Sequence, residues 1–416
     1  MKVLILFFLC LSLDAYAQEF LLKPKFTLDI ETGKLLQNDI LVKDGIIIKV
    51  GKNLTSKTAT IISMPKKILL PGLMDTHVHL IGNTDLQGYE NISESSYLST
   101  IYGVMNAKKT LYAGFTTVRN VGASNYTDVA LRDAINRGII DGPRMLVSGP
   151  PLGITGGHCD NNLLPYELSR PSQGVVDSPW EARKKVRENR KFGADLIKFC
   201  ATGGVMSKNT DVNAKQFTFQ EMEAIVDEAH NHGMKVAAHA HGLEGIKTAI
   251  IAGVDSVEHS SFIDEETIML AIKNDVFLSM DIYVSDYILG EGALNGILEE
   301  SLEKERKTGR LQRENFRKAV NLGAKITFGT DAGIFEHGNN ARQFKYMVKW
   351  GMTSLQAIQA STIVAADLLG INNIANIKEN FYADIIGVED NPIVNIEALE
   401  NVTFVMKDGS IIINHP

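Results

Sequence analysis

The sequence predicts an α/β fold, in which a (β/α)8 TIM-type barrel is joined to a small β-sandwich built from both chain ends. Eight apolar or β-branched segments of strand length recur between residues 68 and 328, and helical patterns fill most of the gaps between them. Such alternation is typical of a parallel sheet covered by helices, and eight repeats favour a closed barrel. The two chain ends differ, because short β-rich runs alternate there with turn sequences such as Lys43-Asp44-Gly45.

The eight predicted barrel strands are Ile68–Leu73, Phe115–Val118, Met145–Ser148, Asp195–Cys200, Val236–His239, Asp255–Glu258, Val276–Met280 and Ile326–Phe328. An open doubly wound sheet is the alternative, but the sequence lacks the Gly-x-Gly-x-x-Gly turn that would support it. The predicted barrel therefore covers residues 70–374, and the composite β-sandwich covers residues 18–69 and 375–416.

Several helices are predicted from their end signals. A helix over Ser178–Lys191 begins with Ser-Pro, and a helix over Thr218–His232 begins with the capping-box pattern Thr-x-x-Glu and ends before Gly233. Further helices are predicted at Asp264–Lys273, Glu299–Leu322 and Thr353–Leu369.

Residues 1–17 have the pattern of a secretory signal peptide. Lys2 precedes an apolar run from Val3 to Leu13, and Ala15-Tyr16-Ala17 supplies the small-x-small cleavage pattern. The run is too short to span a bilayer as a helix. We therefore expect cleavage after Ala17 and a secreted or periplasmic protein without a membrane anchor. A buried N-terminal strand is the alternative for this segment.

Composition excludes several function classes. The chain has 416 residues, of which 44% are hydrophobic and 22% charged, which is ordinary for a globular protein. Its net charge of −7 offers no basic surface for nucleic acid. Cys159 and Cys200 remain after the predicted cleavage, and two distant cysteines do not make a disulfide-framed scaffold. Whether they are free or paired stays open at this stage.

Polar residues stand where the predicted strands end. His77 and His79 close the first strand, and side chains two residues apart on a strand share a face, so both can bind one metal ion. Alone the pair is weak evidence, because two histidines can simply be solvated. Each later candidate also has a structural explanation, such as a hydrogen-bonded core histidine or a helix cap. Together they occupy successive strand ends, where barrel enzymes place catalytic groups; they are Lys198, His239, His259 and Asp331.

This ordered set resembles the amidohydrolase superfamily over the whole predicted mature chain. Neighbouring stretches sharpen the resemblance, namely Gly-Ile-Thr-Gly-Gly-His-Cys-Asp at 153–160, Cys-Ala-Thr-Gly-Gly-Val-Met-Ser at 200–207, His-Ala-His-Gly at 239–242 and Gly-Thr-Asp-Ala-Gly at 329–333. They are similar to the prolidase-like branch, and in particular to zinc-dependent arginine carboxypeptidases.

The resemblance implies two zinc ions per subunit, bridged by a carboxylated Lys198. His77, His79 and Asp331 would hold one ion, and His239 and His259 the other. A hydroxide that bridges the ions would attack the amide carbonyl, and Asp331 would carry the proton to the leaving amine.

The resemblance also assigns residues to the substrate. His158 and His241 would stabilise the tetrahedral intermediate, although many relatives have Tyr where this chain has His241. The glycine-rich loops Thr155-Gly156-Gly157 and Gly203-Gly204-Val205 could offer backbone N–H groups to the substrate carboxylate. A basic side chain needs an acidic partner, and the loop after the seventh strand supplies three candidates, Asp281, Asp286 and Glu291.

We therefore predict a binuclear zinc hydrolase that removes a C-terminal Arg or Lys from dipeptides or N-acyl amino acids. An Xaa-Pro dipeptidase and an amidohydrolase acting on N-acylated aromatic amino acids are the enzymatic alternatives on the same site. A periplasmic peptide- or metal-binding protein is the alternative from another class. The expected partner is a small peptide or N-acyl amino acid, and assembly into a homo-oligomer is left open.

Overall fold

A computed structural model describes residues 18–415 of the chain. The predicted signal peptide, residues 1–17, lies outside the described residues. Within residues 18–415, every helix is too short or too polar to cross a membrane.

Both chain ends form one mixed sheet. Its strands are β1 (Glu19–Leu28), β2 (Leu35–Leu36), β3 (Asp39–Lys43), β4 (Ile46–Gly51), β5 (Thr60–Pro71), β14 (Ile385–Val388), β15 (Phe404–Lys407) and β16 (Ser410–Asn414). They are ordered β16-β15-β14-β5-β1-β3-β4, with β2 beside β1. The N-terminal strand β5 therefore pairs with the C-terminal strand β14, antiparallel, and joins the two ends of the chain.

The middle of the chain forms the eight parallel strands of the barrel. They are β6 (Leu73–Val78), β7 (Phe115–Asn120), β8 (Arg144–Val147), β9 (Leu196–Cys200), β10 (Lys235–Ala240), β11 (Ser256–His259), β12 (Phe277–Ser279) and β13 (Ile326–Thr327). Strands β6–β8 and β9–β13 form two runs. Parallel bridges from Val78 to Ala332 and from Leu152 to Phe199 join these runs, so the predicted (β/α)8 barrel is confirmed. Its first strand is β6 and not the predicted Ile68–Leu73, because residues 68–71 belong to β5 of the terminal sheet.

Helices connect the barrel strands. They are α1 (Ser96–Tyr112), α2 (Thr127–Asn136), α3 (Pro179–Lys191), α4 (Phe219–Asn231), α5 (Leu243–Ala252), α6 (Glu265–Lys273), α7 (Val284–Tyr287), α8 (Glu299–Leu322), α9 (Arg342–Lys349), α10 (Ser354–Ala360) and α11 (Ile363–Leu369). Short helical turns occupy Gly88–Ser93, Ser124–Tyr126, Ile288–Gly292 and Ile396–Glu400. The predicted capping box is present, because the Thr218 side chain accepts from the Glu221 N–H and Glu221 accepts from the Thr218 N–H.

One predicted helix is wrong, since Thr353–Leu369 is two helices with a break at Ser361 and Thr362. Thr362 has a non-helical backbone, with φ −133° and ψ −96°. The break lets Ser361 bond to strand β6, where Met74 N–H donates to the Ser361 carbonyl and the Ser361 hydroxyl donates to the Met74 carbonyl. Hydrogen bonding to the barrel therefore outweighs the continuation of the helix through these two residues, and an amphipathic pattern does not reveal this competition.

An ion pair ties the barrel to the terminal sheet. Arg144, the first residue of β8, bonds to Asp384 and Asp408, which flank strands of the sheet. The Asp384 side chain is almost fully buried. Burial raises the pKa of Asp384. Arg144 opposes this rise, whereas the neighbouring Asp408 raises the pKa further. Arg144 is therefore the cation that compensates this buried carboxylate.

We expect Arg144→Leu to lower the free energy of unfolding by about 3 kcal/mol, because it leaves Asp384 buried without its cation. The matched control is Arg310→Leu, whose guanidinium pairs with Glu314 on an exposed helix face and should matter by less than about 0.5 kcal/mol. Equilibrium urea unfolding of both variants measures the difference. Equal effects would show that the ion pair contributes no more than a surface pair.

Candidate active site

A cavity of about 370 Å³ opens at the carboxyl ends of the barrel strands. It collects every residue predicted as a metal ligand, together with both histidines predicted to contact substrate; these residues are His77, His79, His158, Lys198, His239, His241, His259 and Asp331. Parallel strands bring their carboxyl ends to one rim, which explains how residues 254 positions apart in sequence meet in one cavity.

The histidine rings form a continuous cluster. Ring centroids lie 4.1 Å apart for His158 and His239, 4.5 Å for His239 and His259, and 4.9 Å for His259 and His77. His241 adjoins both His239 and His259 at 4.8 Å. Two subsets have ligand atoms within 4.8 Å of one another, namely His239, His241 and His259, and His77, His259 and Asp331.

A second layer of acceptors fixes most of these rings. The Nδ1 atom bonds to Glu258 Oε2 in His77 (2.9 Å), to Asp281 in His259 (2.9 Å), to Ser261 Oγ in His241 (2.7 Å) and to Ser207 Oγ in His158 (2.8 Å). In His77 and His259 a carboxylate accepts the hydrogen bond from Nδ1–H, so Nε2 is left for another partner. His239 is turned the other way, because its Nε2 lies 3.3 Å from the Gly203 carbonyl.

Asp331 lies between the first two histidines. Its Oδ1 is 3.4 Å from Nε2 of both His77 and His79. Both Asp331 and His259 adopt the left-handed backbone region, with φ 57° and 67°. Non-glycine residues pay strain for this conformation, and such strain concentrates at functional sites.

Burial keeps most of the histidines neutral at pH 7. It lowers the pKa of His79 to about 4 and that of His158 to about 3, and it holds the pKa values of His239 and His241 well below 6.5. Neighbouring positive charges add to the lowering for all four. Burial would raise the pKa of Asp331, but the hydrogen bond from His77 and the charges of the surrounding histidines hold it below its usual range. The cavity thus presents four neutral imidazoles and an ionised carboxylate, whereas burial and Lys198 lower the pKa of His77 but its hydrogen bonds to Asp331 and Glu258 outweigh them and raise it.

Lys198 projects into this cavity from strand β9. It is 4% exposed, and its Nζ forms no hydrogen bond or ion pair within residues 18–415. Burial lowers its pKa to about 8, although Glu258 and Asp331 act in the opposite direction. A buried lysine without a partner is rare in a structural role, and a lowered pKa makes its neutral amine accessible.

Sequence reasoning missed the residues beneath the site. Glu258 precedes His259 on β11, is fully buried, and bonds to His77 and to Arg119 of β7. Burial would raise the pKa of Glu258, but Arg119 and His77 outweigh it and hold the pKa well below 4.5. The available signal was that Glu258 and Arg119 are charged residues inside short, otherwise mostly uncharged strands, where a charge is rare unless it is paired.

A disulfide anchors the loop that carries His158. Cys159 is bonded to Cys200 at the end of β9, with Cα atoms 6.0 Å apart. The two cysteines, which the sequence left as either free or paired, are therefore paired. The His158 ring stacks on His239 and also lies against Gly204, where a side chain would overlap the ring. The disulfide and Gly204 together hold His158 at the cavity.

The predicted acidic substrate contacts need correction. Asp281 lines the cavity, but its carboxylate accepts bonds from His259 and from the Gln312 amide. Asp286 faces away from the cavity, because it pairs with Arg313 and accepts from the Tyr346 hydroxyl. Glu291 is exposed and lies outside the cavity lining. Asp281 therefore orients His259, and the structure places the other two carboxylates elsewhere.

The glycine-rich loops also differ from expectation. The N–H groups of Gly156, Gly157 and Gly203 donate to Asp160, Ile154 and Ala214 within the loops, so they are not available to an anion. Val205 lines the cavity, and its N–H donates to no acceptor within residues 18–415. Among the N–H groups named here, that of Val205 is thus the one still free to bind a carboxylate.

The chain is similar to known proteins over most of its length. Residues 68–412 match the model of the amidohydrolase family. The chain is similar to ochratoxinase of Aspergillus niger, with 32% identity over 91% of this chain and 84% of the relative. Among solved structures it is similar to an Xaa-Pro dipeptidase with methionine bound in its active site, at 37% identity and a TM-score of 0.90, covering 95% of this chain and 100% of that one. It is also similar to a prolidase complexed with N-methylphosphonate-L-proline, at 28% identity and a TM-score of 0.85, covering 96% and 100%.

We expect the Cys159–Cys200 bond to contribute about 4 kcal/mol to stability, from the loop-closure entropy of a 41-residue separation. Urea unfolding of the Cys159→Ala/Cys200→Ala variant measures this loss. Peptide mapping without reductant should detect the peptides of Cys159 and Cys200 as one disulfide-linked pair. Free thiols at both positions in the native protein would contradict the bond.

Proposed function

The chain belongs to the amidohydrolase family, and from this premise we propose that it is a binuclear zinc hydrolase that removes a C-terminal Arg or Lys from dipeptides or N-acyl amino acids. The coarser statement, hydrolysis of an amide or peptide bond, follows from the family and its relatives. The observation that carries the proposal is one cavity that holds six histidines, Asp331 and the unpaired Lys198.

The donor set fits metal ions. Neutral imidazole nitrogens and a carboxylate are the ligands that Zn²⁺ takes in catalytic sites, and the two overlapping clusters around His259 provide more donors than one ion needs. We assign His77, His79 and Asp331 to one ion, and His239 and His259 to the other. Lys198, carboxylated at its neutral amine by CO₂, would bridge them.

The position of His241 leaves a choice between two roles. It lies with His239 and His259 within ligand distance of a common point, so it could serve as a further ligand. We assign it to the substrate together with His158, because both rings contact His239 in the cavity, His158 stacked at 4.1 Å and His241 edge-on at 4.8 Å.

The reaction divides among the residues as follows. Metal ions held by these residues would activate water as a nucleophile and polarise the scissile carbonyl. Asp331 accepts the proton of the attacking water and returns it to the nitrogen of the leaving amino acid. His158 and His241 stabilise the negative charge that develops on the carbonyl oxygen. The Val205 N–H is placed to bind the substrate carboxylate.

Two features support the proposals of a small substrate and of a secreted or periplasmic location. The 370 Å³ cavity suits a dipeptide or an acylated amino acid rather than a folded protein. The Cys159–Cys200 disulfide is typical of oxidising compartments. It supports the proposal that the protein is secreted or periplasmic.

An Xaa-Pro dipeptidase is the second candidate, favoured by the similarity to the dipeptidase and prolidase structures. Release of free amino acid from Ala-Arg, Ala-Lys, Ala-Leu and Ala-Pro separates the two. We expect the highest kcat/KM on Ala-Arg or Ala-Lys, and a preference for Ala-Pro would favour the alternative. Peptide binding without turnover by the metal-loaded protein would instead favour a binding protein.

We expect Lys198→Ala to lose at least one of two bound zinc ions and to reduce turnover by more than about 1,000-fold, because the bridging ligand is gone. Metal content measured by inductively coupled plasma mass spectrometry checks the first result, and dipeptide hydrolysis the second. Lys184→Ala, exposed on helix α3, is the control and should keep both.

His241→Asn should keep two zinc ions and lose turnover, since we assign His241 to the substrate and not to the metal. The same metal analysis and hydrolysis assay measure both quantities. Loss of a metal ion from this variant would make His241 a ligand.

A further inference from the structure

A buried carboxyl in the same cavity has no role in the chemistry described above. Glu305 lies on helix α8, is 4% exposed, and lines the cavity beside Val284 and Ile288. The Ser285 hydroxyl donates to its Oε1. Its Oε2 accepts no hydrogen bond within residues 18–415, yet it is not among the side-chain atoms sealed from solvent without a partner. Oε2 therefore faces the cavity.

Glu305 also lacks a cation. Lys304, its chain neighbour, pairs with Glu300, and Arg313 pairs with Asp286. No Lys, Arg or His of the described residues forms an ion pair with Glu305. Burial raises the pKa of Glu305 to about 7 against the Ser285 bond, and Asp281 adds to the rise. An uncompensated buried carboxyl is costly, so its retention at a cavity wall points to a partner that arrives with the ligand.

Helix α8 is shaped to hold this carboxyl. Glu305, Gly309 and Gln312 are spaced at i, i+4 and i+7, which puts them on one helix face. A side chain at Gly309 would overlap both the Ser285 hydroxyl and Glu305 Oε1. Gln312 donates to Asp281, which holds His259. One helix face thus supports the catalytic histidine and presents a carboxylate at a fixed distance from it.

We propose that Glu305 is the specificity-determining residue of this site, and that its free oxygen receives the cationic head of the C-terminal Arg or Lys side chain of the substrate. Val284 and Ile288 line the cavity next to it and suit the methylene stem that such side chains carry. Glu305 takes the role that the sequence had suggested for Asp281, Asp286 or Glu291. The inference deepens the proposed function and rests on it.

The test compares N-acetyl-Arg with N-acetyl-citrulline as substrates. They have nearly the same shape but differ in charge, and neither carries an α-ammonium group that could occupy Glu305 instead. We expect the wild-type protein to prefer N-acetyl-Arg, and Glu305→Gln to lower that kcat/KM ratio by about 10- to 100-fold, the range expected for a hydrogen bond to a charged group. Glu303→Gln, exposed on the same helix, should leave the ratio unchanged.

Other results would overturn the inference. An unchanged ratio in Glu305→Gln, or an equal loss on both substrates, would make Glu305 a structural residue only. Should Glu305→Gln fail to fold, calorimetric binding of free Arg and free citrulline to the wild-type protein decides, and equal affinity refutes the proposal. Failure of the proposed function is distinct, because the wild-type protein would then release no amino acid from any dipeptide or N-acyl amino acid.

Discussion

The ion pair between Arg119 and Glu258 is the constraint on which the site depends. Both side chains are buried in the barrel, and the Arg119 guanidinium donates to Glu258 Oε1 at 2.8 Å, to Ser256 Oγ at 2.9 Å and to the Thr76 carbonyl. A buried charge pair of this kind is tolerable only when its hydrogen bonds are complete, because an unpaired buried charge costs several kcal/mol. The bonds link strands β6, β7 and β11, so the pair fixes the relation between these strands and the side chains they carry to the rim.

The chemistry of the rim follows from that ion pair. Glu258 remains ionised because of Arg119, and it can therefore accept a hydrogen bond from Nδ1–H of His77. His77 then presents Nε2 toward Asp331. Asp281 acts on His259 in the same way, and Gln312 orients Asp281 in turn. A histidine held by a carboxylate is a better-oriented and more basic ligand than a free one. The metal-binding character of the cavity is thus determined one layer below the residues that would touch a metal.

The strand-end residues could be predicted from sequence because strand order and periodicity fix where they lie. His77, Lys198, His239, His259 and Asp331 each close or follow an apolar run, and parallel strands bring such positions together. The supporting layer was not predictable in the same way. Glu258 and Arg119 meet because β7 and β11 face each other across the barrel, and a single sequence does not show which of their side chains reach across its interior. The pairing of Cys159 with Cys200 likewise depends on the path of a loop.

Specificity was harder to predict for a physical reason. Asp281, Asp286 and Glu291 were sensible candidates by position, but carboxylates near one another compete for the same few cations and donors. Asp281 is taken by His259 and Gln312, and Asp286 by Arg313 and Tyr346. Glu305 sits in the middle of a helix whose exposed turns are rich in charge, so the pattern gives no sign that this one glutamate turns inward.

The barrel strands carry the reactive groups and helix α8 carries Glu305, and this separation suggests how substrate preference can change. The barrel strands hold the reactive groups through backbone pairing and buried ion pairs, so a substitution there disturbs the whole barrel. Helix α8 reaches the cavity through a single face, where Glu305 contacts Ser285 and Gly309 supplies the space between them. A change at Glu305 alters the charge of the pocket while leaving the contact between Gln312 and Asp281, two helical turns away, in place. Charge at the cavity wall can therefore vary on α8 at little cost to the orientation of His259.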